Sequence, residues 1–349
     1  MRAMDEESVG SARGPRVGSR VVVRHRLERP DPLSGATLTD VVGDLVTADD
    51  TTLVVLTRRG EVRVPRRLVT VVKEIPPTPS RRGAPHRALS VEDLQRVMVG
   101  AWPAMETERL GDWLLRASRG FTQRANSVVA VGSPGRPLPE ALDAVERWYA
   151  GRGLPPNLAL AGPVGFDPAA DEVGAQALRR GYTRRVPTAT LTAPTRLVAE
   201  HPDPGSSGRP GGPGGRPAVE VGGELTRAWF TAYRSSRPVD EVAARAILTG
   251  SPEQVFATAR DADGTVVGIG RLGLASAWGG IAAMWVAPGA RRQGLASRLL
   301  TALAVAAAER GAPALHLQTD TDNAAALGLY GRRGFERHHE YVNLSRGGA

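Results

Sequence analysis

A short loop near the carboxyl end of the chain carries residues suited to binding an anion. The apolar run at residues 281–286 has the length of a strand, and residues 295–310 are rich in alanine and leucine, which favour a helix. Arg291, Arg292 and Gly294 lie between them. The first amides of a helix lack intrahelical partners, and the helix dipole adds roughly half a positive charge there. The pattern therefore predicts a phosphate or pyrophosphate site.

The motifs around this loop follow one another in the order of a known family. They are Val286-x-Pro288, Arg291-x-x-Gly294-x-Ala296, Asn323 at the start of a short helix, and Tyr330-x-x-x-Gly334-Phe335. In this order the segment resembles the GCN5-related N-acetyltransferases (GNAT), over residues 218–345. The resemblance implies an α/β fold, acetyl-coenzyme A (acetyl-CoA) as acyl donor, and acetyl transfer to a primary amine of a small molecule or a protein.

The resemblance also implies which residues form the active site. Tyr330 matches the tyrosine that protonates the departing thiolate in the family. The residues expected to bind acetyl-CoA are Met284, Trp285, Val286, Arg291, Arg292, Gln293, Gly294, Leu295, Ala296, Ser297 and Asn323. The residues expected near the acceptor are Trp229, Tyr233, Arg234, Arg237 and His316.

The composition is that of a globular protein. The 349 residues are 41% hydrophobic and 23% charged, enough for two or three domains. The chain has no cysteine, and its histidines lack paired metal-ligand spacing, so we expect no metal. No apolar run approaches a membrane span and no signal-peptide core is visible, so we expect a cytoplasmic protein.

The net charge does not by itself identify a partner. The formal charge is +9, which can favour nucleic acid or acidic substrates. Coenzyme A is itself polyanionic, and no arginine-rich groove with stacked aromatics is visible. We therefore do not expect nucleic-acid binding.

Strand and linker patterns divide the chain. Five short strands are predicted within residues 16–75, which is typical of a small closed β-barrel and resembles SH3-like modules. This segment has no Trp, Tyr or Phe, and we interpret it as a docking lobe. Residues 1–15 predict a disordered tail, and the Pro- and Gly-rich residues 76–88 and 197–217 predict linkers.

Residues 89–196 repeat the pattern of the carboxyl-terminal segment. A helix, a glycine and a strand at residues 141–160 correspond to residues 302–317, and both segments end in Arg-Arg-Gly followed by an aromatic residue. The repeat predicts a degenerate GNAT-like lobe before a catalytic GNAT domain at residues 218–345. The counterpart of the phosphate loop, residues 132–138, contains two prolines, so we expect no coenzyme A there.

The degenerate lobe has two interpretations, structural support or a wall of the acceptor pocket. The candidates for that wall are Trp102, Trp113, Arg116, Phe121, Arg124 and Asn126. The general base stays open between His316, a water relay and a group from this lobe, because residues 281–286 contain no carboxylate.

Two other functions stay open. Without an identified base, the chain could be a non-catalytic acyl-CoA sensor whose barrel contacts a partner. Vestigial lobes on a nucleic-acid-associated protein would instead give binding that weakens steeply with salt.

Overall fold

The computed structural model describes five stretches of the chain: residues 20–30, 35–57, 60–74, 85–201 and 217–347. The chain forms two compact units, Met1–Arg82 and Gly83–Ala349. The predicted disordered tail and most of both predicted linkers lie outside the described residues.

The first unit is a small antiparallel sheet. Its strands are β1 (Arg20–Arg26), β2 (Leu38–Ala48), β3 (Thr52–Thr57), β4 (Gly60–Pro65) and β5 (Val69–Glu74). They lie in the order β4-β3-β2-β1-β5, so the five predicted strands are confirmed. The predicted closure into a barrel is not seen among the described residues. The 3₁₀ turn Arg66–Leu68 carries the chain from β4 to the opposite edge, where β5 pairs with β1.

The second unit is a mixed α/β structure. Residues 85–201, here called the first lobe, contain α1 (Val91–Ala101), β6 (Glu106–Leu110), β7 (Trp113–Ala117), β8 (Val128–Val129), α2 (Leu138–Ala150), β9 (Asn157–Gly162), α3 (Glu172–Arg179), β10 (Thr183–Arg184), β11 (Thr188–Pro194) and α4 (Thr195–Ala199). Residues 217–347, the second lobe, contain β12 (Ala218–Gly222), α5 (Arg227–Ser235), α6 (Glu241–Thr249), β13 (Glu253–Arg260), β14 (Val266–Ala275), β15 (Trp278–Val286), α7 (Leu295–Glu309), β16 (Ala314–Asp320), α8 (Ala324–Arg332) and β17 (Glu336–Ser345).

Both lobes contribute to one sheet. Its order is β12-β13-β14-β15-β16-β11-β17-β9-β8-β7-β6, with β10 beside β17. Strand β11 of the first lobe lies between β16 and β17, and β17 of the second lobe lies beside β9. Each lobe therefore pairs its last strand with strands of the other lobe. This pairing supplies hydrogen-bond partners to backbone N–H and C=O groups of both lobes. The predicted boundary at residues 197–217 does not divide this sheet.

Several helices begin at the polar residues that the sequence suggests. Ser90 Oγ accepts a hydrogen bond from Asp93 N at 3.0 Å and caps α1. Asn323 Oδ1 accepts one from Ala326 N at 3.1 Å at the start of α8. In the part of the chain that the structure describes, no helix is long and apolar enough to cross a bilayer.

Arg271 on β14 joins the two lobes from inside the core. Its side chain is fully buried, and it donates to Leu248 O at 2.7 Å, Ala101 O at 2.8 Å and Ser251 Oγ at 2.8 Å. Ala101 is the last residue of α1 in the first lobe. Burial lowers the pKa of Arg271 to about 10, which leaves the guanidinium charged at neutral pH.

We predict that Arg271→Met lowers the free energy of unfolding of the second unit by about 3 kcal/mol, because three buried hydrogen bonds are lost and Ser251 Oγ remains the donor to Ala101 O only. Tryptophan fluorescence in urea measures this unit selectively, since residues 16–75 contain no tryptophan.

The matched control is Arg245→Met. Arg245 is exposed, pairs with Glu241 one helical turn away at 3.0 Å and lies 4.2 Å from the ring centroid of Phe230, so its loss is expected to change stability by no more than about 1 kcal/mol. Equal effects of the two substitutions would contradict the assignment of Arg271.

Candidate active site

Helix α7 begins at a glycine in the left-handed region. Gly294 has φ +77°, Arg292 has φ +65°, and no side chain of the described residues caps this helix. The amides of Leu295, Ala296 and Ser297 form its first turn. The geometry is the one that the sequence predicts for an anion site, with unpartnered amides at a positive helix end.

Two side chains of the loop stabilise the loop itself. Arg291 Nε donates to Val286 O at 3.1 Å, and Gln293 Nε2 donates to Gly289 O at 3.2 Å. Arg291 thus fastens the loop to the end of β15, whereas Arg292 is exposed.

Strands β15 and β16 separate just before this loop. Their parallel pairing covers only residues 278–281 and 314–317. Beyond it β15 has a bulge, because Ile269 pairs with Trp285 whereas Arg271 pairs with Ala282. Ala283 in this bulge has φ +54°. The separation opens the sheet, and the bulge turns peptide groups out of the ladder.

A cavity of about 470 Å³ lies where the strands separate. This volume is within the usual range for small-molecule sites. Both lobes contribute to its lining, which consists of Trp102, Thr122, Gln123, Arg124, Thr188, Tyr233, Arg237, Ile281, Ala282, Ala283, Met284, Gln318, Thr319, Asp320, Asn323, Ala326, Tyr330 and Tyr341.

Five residues predicted for the site line this cavity: Met284, Asn323, Tyr330, Tyr233 and Arg237. Burial raises the pKa of Tyr330 to about 12, so its hydroxyl stays protonated at neutral pH. Burial also raises the pKa of Tyr233.

The other predicted site residues do not line this cavity: residues 291–297 form the loop and the first turn of α7, and Trp229, Arg234, Trp285, Val286 and His316 lie elsewhere. Trp229 is fully buried, and its Nε1 donates to two backbone carbonyls of the sheet, so it is a core residue. Arg234 is exposed on the same helix and lies 3.7 Å from a carboxylate oxygen of Glu241. The helical repeat places Tyr233 toward the cavity and turns Arg234 away from it. Trp285 and Val286 pack against apolar core clusters rather than lining the cavity.

His316 is also a core residue rather than a base in the cavity. Its ring centroid lies 6.4 Å from that of Trp278, and its Nε2 has no hydrogen-bond partner in the described part of the chain. Burial, together with the smaller effects of the charges of Arg124 and His339, lowers its pKa to about 3. His316 shares a strand face with Gln318 and Asp320, but it lies where β16 is still paired with β15, below the point where the cavity opens.

The first lobe supplies part of the cavity wall. Of its six candidates, Trp102 and Arg124 line the cavity. Trp113 and Arg116 are buried in the first lobe and donate to backbone carbonyls there. Phe121 packs edge-on against Tyr233, with ring centroids 6.4 Å apart. The remaining candidate, Asn126, hydrogen bonds inside its own loop.

Sequence reasoning missed Asp320, which is the one carboxylate among the described residues that line the cavity. It ends β16, and Thr188 Oγ1 donates to its Oδ1 at 3.4 Å. The sequence does contain a signal for this residue, since Asp320 is a carboxylate at the end of the strand that follows residues 281–286. Thr188 and Tyr341 had no such signal, because they reach the cavity only through the exchanged strands β11 and β17.

The corresponding loop of the first lobe is already occupied by its own side chains. Asp112 Oδ2 accepts from Ser133 N at 2.9 Å, and Ser133 Oγ accepts from Gly135 N at 3.1 Å. Pro137 precedes α2, where a proline cannot donate an amide. Prolines thus stand at the start of α2, where α7 has a glycine and free amides, and Asp112 binds an amide of the preceding loop. Both features support the expectation that coenzyme A does not bind here.

The strand order, the separated parallel strands and the loop that opens α7 define a GNAT fold with two related lobes. The chain belongs to the family described as "Probable histone acetyltransferase Rv0428c C-terminal", whose model matches residues 90–344. Residues 15–73 match the model described as "Rv0428c N-terminal Sm-like domain". The protein is therefore a member of a GNAT N-acetyltransferase family.

Individual relatives agree with this assignment. The chain is 32% identical over 195 residues to "Probable histone acetyltransferase Rv0428c" of Mycobacterium tuberculosis, a match that covers 54% of this chain and 58% of that protein. It is 26% identical to "Uncharacterized N-acetyltransferase YobR" of Bacillus subtilis, over 71% of this chain and 97% of that one. A solved GCN5-related N-acetyltransferase from Kribbella flavida has the same fold, with a TM-score of 0.52 and 16% identity over 74% of this chain and 96% of that one.

We predict that Gly294→Glu weakens acetyl-CoA binding at least about 100-fold, because it places bulk and negative charge at the anion site. Calorimetric titration measures the affinity. The matched control is Gly153→Glu, which adds the same side chain at φ +64° in open space outside the cavity lining. Unchanged affinity in Gly294→Glu would show that the loop does not bind the cofactor.

We predict that the stability of the second unit decreases at low pH, because His316 and His339 are buried in the neutral form. The pKa values of His316 and His339 are lowered to about 3 by burial, whereas histidine ordinarily titrates near 6.5. Between these values the unfolded chain binds more protons than the folded chain, so stability is complete above pH ~6.5 and falls as the pH is lowered. Each histidine contributes up to about 1.4 kcal/mol per pH unit.

Urea unfolding of the wild type and of His316→Leu at several pH values from about 7 to 5 tests this prediction. We expect a shallower decrease in the variant. Parallel decreases would contradict the assignment of His316 as a buried neutral group.

Proposed function

We propose that the protein transfers the acetyl group of acetyl-CoA to a primary amine of a small molecule or a protein. One observation carries this proposal. A single cavity joins residues at the α7 end of the sheet, such as Met284 and Tyr330, to Trp102 and Arg124 of the first lobe. Donor and acceptor can therefore meet at the same place.

The residues at the cofactor end fit coenzyme A. Gly294 and Arg292 adopt the left-handed conformation that lets the backbone approach a pyrophosphate, and no side chain of the described residues competes for the amides of α7. Asn323, with its Oδ1 engaged by the helix cap, presents its amide group at the edge of the cavity, where the pantetheine arm would lie.

Acetyl-CoA supplies the thioester, and this chain's residues polarise it and move one proton. The peptide groups of the bulge at Ala283 and Met284 lie outside the ladder and are suited to donate to the thioester oxygen. During transfer the carbon–sulfur bond breaks, a carbon–nitrogen bond forms, the amine gives up a proton and the sulfur gains one.

Two side chains serve the proton transfers. Tyr330 is the donor to the departing sulfur, since its raised pKa of about 12 keeps the hydroxyl protonated. Asp320 is the carboxylate that holds the amine and accepts its proton, directly or through water. His316, which has no access to the cavity, has no part in this scheme.

The rival function is a non-catalytic acyl-CoA sensor. A sensor needs only the cofactor end, whereas the cavity continues past Tyr330 to Arg237 and Arg124. The relative named as a probable histone acetyltransferase makes a lysine side chain of a protein one possible acceptor. Release of the coenzyme A thiol in the presence of amines distinguishes an enzyme from a sensor, which would bind acetyl-CoA without turnover.

We predict that Tyr330→Phe lowers kcat by about 10²–10⁴-fold and leaves the affinity for acetyl-CoA unchanged, because the ring keeps its packing and only the proton donor is lost. The thiol-release assay gives kcat, and calorimetry gives the affinity. Full turnover in the variant would remove Tyr330 from the chemistry.

A further inference from the structure

The cavity contains charges of both signs that do not neutralise each other. Its charged lining residues are Arg124, Arg237 and Asp320. Arg124 belongs to the first lobe, Arg237 to the connection between α5 and α6, and Asp320 to the end of β16. Within the described ranges, no carboxylate forms an ion pair with either arginine. The site is therefore dipolar.

Arg124 differs from the two other arginines of this region of the interior. Arg271 and Arg116 are buried, and backbone carbonyls and serine hydroxyls accept their hydrogen bonds. The Cζ of Arg124 lies 5.3 Å from the ring centroid of Trp102, a cation–π contact. Its Nε is buried and meets no acceptor among the residues that the structure describes. Burying a hydrogen-bond donor without an acceptor lowers the stability of the fold, unless a bound ligand supplies the acceptor.

Arg237 is held in a similar way. Its Cζ lies 4.5 Å from the ring centroid of Tyr233, and its Nε donates to Ser236 Oγ at 3.3 Å. The stacked ring fixes the plane of the guanidinium, which favours two-pronged binding of a carboxylate or phosphate.

The loop that carries Arg124 is braced by Asn126. The Oδ1 of Asn126 accepts from two backbone amides of the loop, at 2.7 and 3.0 Å. Its Nδ2 donates to Phe121 O and Thr122 O, both at 2.7 Å. Thr122 has φ +61°, a conformation that a threonine keeps only when its surroundings impose it. The arginine is thus positioned in advance of binding, which lowers the entropic cost of ordering it.

We propose that the acceptor is a small amine that also carries an oxyanion, as an amino acid does. Its anionic group binds Arg124 and Arg237, and its amine lies beside Asp320. A lysine side chain within a peptide carries no anion of its own and would leave both arginines uncompensated. This inference rests on the proposed function and adds the class of acceptor to it.

The test compares acceptors that differ only in the anion. Free L-amino acids are assayed against their own carboxamides, and O-phosphoethanolamine against ethanolamine, with thiol release as the readout. A lysine-containing histone peptide represents the protein acceptors. We expect kcat/KM to be at least about tenfold higher for the anionic member of a pair. The pair that shows the preference identifies the anion as carboxylate or phosphate.

The same assay is then repeated with Arg124→Gln, Arg237→Gln and the control Arg234→Gln. We expect each of the first two to raise KM for the anionic acceptor about tenfold or more, with little change for its neutral partner. The control keeps the wild-type preference, because Arg234 lies outside the cavity lining. Unchanged acetyl-CoA affinity shows that each variant is folded.

The outcomes separate the two proposals. If acetyl-CoA does not bind the wild type, or binds without acetylation of any amine, the proposed function fails and this inference with it. If acetyl-CoA binds and at least one amine is acetylated, the inference alone is overturned by any of three results. These are an equal or better rate with the neutral amine or the histone peptide, no turnover of any anionic amine, and a preference that survives in both arginine variants.

Discussion

The exchange of strands between the lobes is the constraint on which the rest of the structure depends. Strand β11 satisfies the edge of β16, and β17 satisfies the edge of β9, so neither lobe has a complete sheet without the other. The exchange brings Thr188 and Tyr341 to the cavity, and the first lobe adds Trp102 and Arg124. The first lobe thereby forms part of the wall of a cavity that opens beside the strands of the second lobe.

The joined lobes also determine which arginine side chains face the cavity. Arg271 donates hydrogen bonds to Leu248 O, Ala101 O and Ser251 Oγ, which joins the two lobes and occupies all three of its nitrogens. Arg124 lies beside the same indole ring, but its buried Nε has no acceptor among the described residues. The two arginines therefore have different roles: one is bonded within the core, and the other lines the cavity.

The parts of the site that are formed by neighbouring residues could be predicted from the sequence. The left-handed Gly294 and the cap at Asn323 follow from residues within one turn of each other. The position of β11 could not be predicted, because pairing with β16 and β17 depends on contacts more than a hundred residues away. The same limit explains His316: it shares a strand face with the cavity residues Gln318 and Asp320, and local sequence does not reveal at which residue β15 and β16 separate.

The stoichiometry of acetyl-CoA binding tests this account most directly. Calorimetric titration of the whole chain is predicted to give one equivalent bound, because the start of α7 offers free amides, whereas prolines begin α2 and Asp112 binds an amide of the loop before it. Two equivalents would show that the first lobe still binds the cofactor and is not merely a wall. No binding would contradict the assignment of the cavity as an acetyltransferase site.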